Sequence, residues 1–471
     1  MMTTANGQAP VFDPATLRGR RVLVYSLGIE GRDLARFMVR HGAQVTVSDT
    51  RSARALDAAN ATIPEGVERV VTGQPLLAAD GFDMLAVSQS ILRSDPAMAR
   101  AREAGVPTTS QMRLFLQLCP GKVVGITGSS GKTTTTALVA AMAREAGTKH
   151  IVGGNIGEAL LGRLDEIDDG TTVILEISHT QLQYTDRSPH VAAITNVTPN
   201  HLDQFRWDEY VGLKRHILEY QHDDDIAVLN ADDPTSVALF ADARGRLLRT
   251  SMSAPLPDGG EGAWLDGPNI VVSAGAVRET VAHRNEIALR GRHNLANIVM
   301  ASAIGAAAGF PASAIGSAIS GFRGVPHRLE PVGRANGALW INDSIATSPE
   351  RTIAGLEAYN DRVVLLLGGR GKNLPLDRLQ DLARRRCRAV ICFGEAGQQF
   401  ATAMLSVTPA VHLVATLDQA VAAAAELVHK GDVVLLSPAG TSFDAYPNFE
   451  SRGQHFRELV RALDGFTPEV D

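Results

Sequence analysis

The stretch KVVGITGSSGKTTTTALVAAMAREAG, residues 122–147, restricts the possible folds more than any other part of the chain. Its β-branched opening reads as a buried strand and its alanine-rich close as a helix, with only small residues between. A strand that passes through a glycine turn into a helix opens a βαβ unit, which requires a parallel sheet. Bare backbone N–H groups in such a turn close on an anion, and the positive end of the helix dipole faces the same point. Gly128, Ser129, Ser130, Gly131, Lys132, Thr133 and Thr134 are therefore candidate ligands of a nucleoside triphosphate, with Lys132 on the outer phosphates and Thr133 on a magnesium ion. The strict phosphate-loop pattern wants glycine at position 126, where this chain has Ile126. A kinase, a motor, a switch GTPase and an ATP-driven ligase all carry loops of this kind, so the remaining sequence has to choose.

At 471 residues the chain exceeds a single hydrophobic core. The expectation is α/β throughout. A Rossmann-like domain spans 1–110, a central phosphate-loop domain with a mostly parallel sheet spans 111–323, and a second Rossmann-like domain spans 324–471. A net charge of −6 argues against a sequence-independent grip on nucleic acid, which needs a basic surface. The cysteines, Cys119, Cys387 and Cys392, form no CxxC pair, so neither a disulfide framework nor a zinc site is indicated and a reducing cytoplasm fits. The opening MMTTANGQAP has neither a basic start nor an apolar centre, and no run reaches about 18 apolar residues, so neither secretion nor membrane spanning is expected.

The first segment reads RVLVYSLGIEGRDLARFMVRHGAQVTVSDT. A strand over Val22 to Tyr25 meets a glycine turn and a helix, and a second strand over Val45 to Val47 ends at Asp49. In the turn Ser26-Leu27-Gly28-Ile29-Glu30-Gly31, serine replaces the first glycine of a dinucleotide fingerprint. Asp49 stands where a carboxylate often accepts from a ribose or base; the alternative is a purely structural turn.

The strand TTVILEIS ends on Glu176, and the strand VAAITNVTPNHLD ends near His201. In a parallel sheet both ends face the crevice of the phosphate loop. Alone, Glu176 is equally a strand-end charge and His201 a satisfied histidine; beside a phosphate loop they read as a carboxylate and an imidazole aimed at phosphates. In DEYVGLKRHILEY, helical spacing puts Tyr210, Lys214 and Ile217 on one face, where most lysines are merely solvated. The stretch LRGRHNLANIVMASAIGAAAGF opens a helix with His293, Asn294 and Asn297 in its first turns, where amides either read a purine edge or cap the helix. From FRGVPHRLEPV onward, the strands ALWINDS, RVVLLLGG, RAVICFG and DVVLLSPAG alternate with helices. Their ends carry Asp343, Ser344, Gly368 to Lys372, and Ser437 to Ser442, where ligands bind in open sheets.

Over essentially its whole length the chain resembles the Mur ligase family, the ATP-dependent amino-acid-adding enzymes of peptidoglycan precursor synthesis. The family's shortened loop TGxxGKTT is matched by TGSSGKTT, which accounts for Ile126. GGNIG with Asn155, the strand-end Glu176, NHLD with His201, Lys214, GRHNLAN, PHRLE and NDS then follow in the family's order. SPAGTSFDAYPNFESRG is similar to the branch that adds glutamate to UDP-N-acetylmuramoyl-L-alanine.

The resemblance implies a two-step ligation, in which ATP phosphorylates the carboxylate of the nucleotide-linked alanine and the amine of glutamate then attacks the acyl phosphate. It implies ATP and two Mg²⁺ ions as cofactors, with Lys132, Glu176, His201 and Lys214 as catalytic residues. Thr133, Glu176, His201 and Lys214 would surround the metal, and Lys214 would be carbamylated, which turns a cation beside metals into an anion. Asn294 and Asn297 would face adenine, while Arg328 and Asp343 would reach the ATP from the last segment, with a hinge near 320–325. Ile29, Asp49, Thr50 and Arg51 match the family's uridine-binding region, and Asn155 and His201 would complete the nucleotide-substrate site. Thr347, Lys372, Ser442, Phe443 and Phe449 match the glutamate pocket, where a lysine and hydroxyls suit a dicarboxylate. UDP-N-acetylmuramoyl-L-alanine and glutamate are then the substrates of a cytoplasmic monomer that binds neither nucleic acid nor membrane.

The chain departs from the family's pattern at four places. Glu30 replaces a small or hydroxyl residue, VSQS stands for the common SPG form, SHTQLQ for SSFQLE, and NDSIAT, with Ile345, for NDSKAT. The last two leave L-glutamate as an alternative, although the retained pocket residues favour D-glutamate. A folylpolyglutamate synthetase would lack the uridine domain that SDTR marks, and a GTPase would carry an NKxD-type motif, which is not found. A nicotinamide dehydrogenase would leave the phosphate loop idle. A non-catalytic phosphate-loop binding protein is the reading from another class, yet it would be expected to have lost Lys132, Glu176 or His201.

Overall fold

Apolar runs between residues 21 and 110 build the first of three sheets in the computed structural model. The structure describes residues 11–58, 61–155, 160–200, 204–257, 260–275, 277–289, 291–372, 374–405 and 410–468, and all counts below are of these. β1 (Arg21–Tyr25), β2 (Gln44–Asp49), β3 (Arg69–Thr72), β4 (Met84–Val87) and β5 (Thr108–Ser110) are parallel, in the order β3-β2-β1-β4-β5. Val22, Leu23, Val24 and Tyr25 are all fully buried, as a parallel strand covered on both faces must be. Winding reverses between β1 and β4, which opens a crevice at the C-terminal ends of these strands, beside Ser26–Gly31. β2 carries Asp49 as its last residue, as expected.

The central sheet contains β6 (Lys122–Thr127), β7 (His150–Gly154), β8 (Thr172–Glu176), β9 (Val191–Ile194), β10 (Ile226–Asn230), β11 (Arg246–Ser251), β12 (Gly262–Asp266), β13 (Asn269–Ala274) and β14 (Val277–His283). Their order is β14-β13-β12-β11-β10-β9-β6-β8-β7. Pairing is parallel from β7 to β12; the antiparallel meander β12 to β14 has no counterpart in the sequence reading. One strand is shorter than expected: β9 stops at Ile194 rather than near His201. The chain leaves the sheet because its next residues bond the phosphate loop, Asn196 O accepting from Ser129 N at 2.9 Å and Thr198 O from Ser129 Oγ at 2.9 Å. His201 itself lies outside the described residues.

One apolar core joins the first two sheets, running from Val22, Val24 and Leu34 through Met112 and Phe115 to Val123, Leu175 and Ile194. The last sheet, β15 (Glu330–Ala335), β16 (Ala338–Asn342), β17 (Val363–Gly368), β18 (Cys387–Phe393), β19 (Val411–Leu413), β20 (Val433–Ala439) and β21 (Thr467–Pro468), has the order β19-β18-β17-β20-β16-β15-β21. It is parallel from β19 to β16 and antiparallel at the β15 and β21 edge. Alternate residues of β17 enter different cores, Leu365 and Leu367 with Phe400 and Met404, Val364 and Leu366 with Trp340 and Phe456. The α/β class with mostly parallel sheets is therefore as expected. The chain forms two compact units, Met1–Ala288 with Arg292–Phe322, and Leu289–Gly291 with Arg323–Asp471.

Candidate active site

The phosphate loop is shaped by what stands behind its glycines. Gly128 has φ 146° and Gly131 has φ 80°, conformations that side chains rarely adopt. A Cβ at Gly128 would lie 1.9 Å from Thr195 Oγ1, and one at Gly131 would lie 2.1 Å from Asn297 Oδ1. The loop thus fits between the end of β9 and the helix Arg292–Ala308, with Ser130 N donating to Asn196 Oδ1 at 3.0 Å. Ile126 instead lies inside β6 and is fully buried, so the missing glycine is not needed there. Lys132 and Thr133 open the helix Lys132–Glu145, both half-buried, followed by the buried Thr134. Asn297 is placed against the loop, and Asn294 lies one turn earlier on the same helix.

Lys132 Nζ donates to Gly128 O at 2.8 Å. Lys214, from the helix Trp207–Arg215, donates to the same carbonyl at 2.9 Å and to Thr127 Oγ1 at 3.1 Å. Far from being solvated, Lys214 is 1% exposed, and its ammonium lies 5.4 Å from the centre of the Tyr210 ring. Burial above all, then the neighbouring Lys132, drives its pKa well below the usual lysine range, with Glu176 opposing. The site therefore favours a neutral amine at this position.

Glu176, buried at the end of β8, accepts from Asn155 Nδ2 at 2.8 Å through Oε1, while Oε2 is buried with no hydrogen-bond partner among the described residues. An anionic oxygen left in that state is costly, and a divalent cation would satisfy it. The oxygen donors fit magnesium in chemistry: a Glu176 carboxylate oxygen and the hydroxyl of Thr133. Among the described residues no three His, Cys, Asp or Glu side chains cluster as a ready metal site, and His201 lies outside them.

At the β1 turn, Ser26 holds φ 78°, the left-handed conformation a glycine would otherwise supply. Leu27 N donates to Asp49 Oδ2 at 2.7 Å, and Arg51 binds both oxygens of the same carboxylate, at 3.0 and 2.6 Å. Burial raises the Asp49 carboxyl, but the bonds from Arg51 and Leu27 outweigh it and hold it below the usual range. Asp49 is thus committed to its own turn, while Ile29, 59% exposed, and Thr50 face outward.

In the last unit, Asp343 is buried, accepting from Ser437 Oγ at 2.8 Å and Leu329 N at 3.2 Å, and burial pushes its carboxyl up to about 7. Arg328, half-buried, directly precedes Leu329. Lys372 Nζ donates to Thr347 Oγ1 at 3.3 Å, which brings these two predicted residues together. Ser442 is buried, Phe443 is 61% exposed, and Phe449 begins the helix Phe449–Arg461, its carbonyl accepting from Ser344 Oγ at 2.8 Å. Ile345 N donates to His327 O at 3.1 Å.

Several site residues escaped the sequence reading: Thr127 beside Lys214, and Thr195 and Asn196 behind the loop. They contact through space and leave no local pattern. The S-x-x-Q run at Ser178 to Gln181, which forms a capping box, was visible in principle.

Two family profiles match the chain, Mur ligase middle domain over residues 126–305 and Mur ligase, glutamate ligase domain over residues 327–440. A UDP-N-acetylmuramoylalanine–D-glutamate ligase of Symbiobacterium thermophilum is 38% identical over 453 residues, covering 94% of this chain and 98% of that protein. The chain belongs to the Mur ligase family. Another relative of this Mur ligase, a protein of the same name from Clostridium botulinum, is 35% identical over 455 residues, covering 95% of this chain and 98% of that one. Among solved structures, the UDP-N-acetylmuramate-alanine ligase of Thermotoga maritima shares the Mur ligase fold, with TM-score 0.57 at 17% identity over 94% of this chain and 99% of that one. Among the described residues of this Mur ligase no helix is long and apolar enough to cross a membrane.

Proposed function

We propose that this chain joins D-glutamate to UDP-N-acetylmuramoyl-L-alanine with cleavage of ATP, in peptidoglycan precursor synthesis. The observation that carries the chemistry is that Lys132 and Lys214 share the carbonyl of Gly128, while Glu176, whose charge acts on Lys214, keeps one buried oxygen with no hydrogen-bond partner among the described residues. A carboxylate does not react readily with an amine, so a leaving group is installed first. The alanine carboxylate oxygen attacks the γ-phosphorus, and ADP departs. The glutamate amine then attacks the acyl carbon, the C–O bond to phosphate breaks, and the nitrogen loses its proton.

Lys132 offsets the negative charge on the transferring phosphoryl group, and the N–H groups of Gly128 to Gly131 hold the neighbouring phosphates. Magnesium, held by Thr133, Glu176, His201 and Lys214, would neutralise charge on the phosphates and on the substrate carboxylate. Lys214 suits carbamylation: a neutral amine attacks carbon dioxide and releases a proton, and the resulting anion stands where an ammonium beside metal would be repelled. Two ions are proposed, as expected from the sequence.

The proposed division of labour follows the expected domains. Residues 1–110 take the uridine nucleotide through Ile29, Asp49, Thr50 and Arg51, helped by Asn155 and His201. Residues 111–323 take ATP, with Asn294 and Asn297 toward adenine. Residues 324–471 supply Arg328 and Asp343 to ATP and take glutamate through Thr347, Lys372, Ser442, Phe443 and Phe449, with a hinge near 320–325. The enzyme is proposed to act as a cytoplasmic monomer.

Phosphate release from ATP and Mg²⁺ with UDP-N-acetylmuramoyl-L-alanine tests this, with D- and L-glutamate compared side by side. Release with D-glutamate alone is expected. Release with L-glutamate alone would replace the stereochemical assignment and direct attention to Ile345, and release with neither would overturn the ligase reading.

A further inference from the structure

The seam between the first two sheets holds a closed ring of hydrogen bonds that the proposed reaction does not use. Glu30, in the first turn of the helix Ile29–Arg40, accepts from Gln89 N at 2.6 Å through Oε2 and from Gln181 Nε2 at 2.7 Å through Oε1. Gln89 Oε1 in turn accepts from Ser178 Oγ at 2.7 Å and Thr180 Oγ1 at 3.1 Å. Ser178 and Gln181 close the ring, Ser178 N donating to Gln181 Oε1 at 3.0 Å and Gln181 N to Ser178 Oγ at 3.1 Å. Next to it, Gln183 Oε1 accepts from Arg93 N at 3.0 Å.

Glu30, Ser178 and Gln181 are buried and Gln89 and Thr180 half-buried, so the bonds among Glu30, Ser178 and Gln181 are shielded from water, and losing one leaves a buried polar group unsatisfied. The chemistry of the members is matched. Glu30 offers two acceptors to two donors, one of which is the backbone N–H of Gln89; the proline of the SPG form would have no N–H to give. Glu30, Gln89, Thr180 and Gln183, four positions where the sequence departs from the family's pattern, thus all bond across this seam. On one side the ring holds the turn Ser26–Gly31, and on the other the capped helix His179–Leu182, which follows Glu176 on β8.

We propose that Glu30 is a positioning residue: with Gln89, Ser178 and Gln181 it fixes the nucleotide-substrate turn against the central sheet, so that the substrate's carboxylate is presented to the phosphate loop from a rigid seam. This rests on the ligase reading above. Glu30 touches neither the reacting atoms nor ATP in this scheme. Its effect reaches the reaction through the turn.

An isosteric pair of variants tests it. Glu30→Gln keeps the shape but sets an amide donor against one of the two donors that Glu30 now receives. KM for UDP-N-acetylmuramoyl-L-alanine is expected to rise about tenfold, while kcat and the KM values for ATP and glutamate stay within about twofold. Gln181→Glu alone opposes two carboxylates and is expected to raise the same KM at least as much. In the double variant the amide at 30 donates to the carboxylate at 181, so that one bond is restored with its polarity reversed while Gln89 N and Ser178 N still donate to the oxygens at 30 and 181, and KM is expected to return to within about threefold of the parent.

An unchanged KM in Glu30→Gln, a failure of the double variant to recover, or a joint shift of all KM values with the melting temperature would overturn the proposal. Should the parent chain release no phosphate with these substrates, the ligase reading fails by itself. The ring is then read from hydrogen exchange at the Gln89 amide. Faster exchange in Glu30→Gln supports it, and unchanged exchange overturns it.

Discussion

Two turns in this molecule share one construction and differ in charge. Both follow a buried parallel strand, both carry glycines, and both lead into a helix: Ser26–Gly31 after β1, and Gly128–Gly131 after β6. Around the first, the buried carboxylates Glu30, Asp33 and Asp49 gather; around the second, Lys132 and Lys214 share one carbonyl. The positive end of a helix dipole invites an anion in either case. At the first turn Glu30 offsets it, leaving a surface suited to donors such as hydroxyls and base N–H groups, with the exposed Ile29 beside it. Strand-turn-helix geometry therefore offers a place for a ligand, and the residues of the helix's first turn decide its charge.

The largest effect expected from breaking this contrast comes at the second turn. Lys132→Met should lower kcat about 10³-fold, or about 4 kcal/mol, by removing the charge proposed to offset the transferring phosphoryl group. Binding of the uridine substrate to the first turn, followed by calorimetry, should change little. A comparable loss of affinity there would show that the two turns are not separate sites.

Lys214→Met is expected to cost somewhat less, about 10²-fold in kcat. The sign of its pH dependence follows from burial. With its pKa held well below the usual lysine range, Lys214 gives up its proton more readily than an exposed lysine and so takes up carbon dioxide more readily, whereas acidification protonates the amine and would drive the proposed carbamate off. Activity should accordingly fall on the acid side in carbonate-free buffer and recover when bicarbonate is added at neutral pH. An intact-protein mass without the added carbon dioxide, together with full activity in carbonate-free buffer, would remove the carbamate from the scheme.

The contrast also explains what could be read in advance. The second turn was legible because phosphate is held by backbone N–H groups, and the glycines and lysine that permit this lie within a few consecutive positions, Gly128 to Lys132. The parallel α/β class was legible for a similar reason, since a fully buried strand such as β17 is an unbroken apolar run. The antiparallel meander β12 to β14 was missed, and β9 was drawn too long because the apolar pattern does not register that Asn196 and Thr198 leave the sheet to bond the loop. Lys214 illustrates the limit from the other side. Helical spacing placed it correctly with Tyr210, but only the structure shows that this face is buried under the loop.

The smaller effects concern backbone shape at the first turn. A Cβ at Gly31 would lie 1.8 Å from Ser26 O, a backbone atom that cannot move without opening the turn. Gly31→Ala should destabilise the fold by about 2–3 kcal/mol, read as a lower denaturation midpoint, and should weaken uridine-substrate binding while ATP binding changes less.

Ser26 is the subtler probe, because it occupies with φ 78° a conformation that costs a side chain about 1 kcal/mol. Ser26→Gly would relieve that strain, yet it would also give the unfolded chain more freedom and delete the hydroxyl that accepts from Gly28 N at 3.2 Å. These terms oppose one another at similar size, so the change in stability should stay within about 0.5 kcal/mol. Substrate KM values should be unaltered. A stabilisation well beyond that would mean the serine is retained against strain for its hydroxyl. In that case the first turn would read its ligand through a side chain, where the second relies on backbone and lysine.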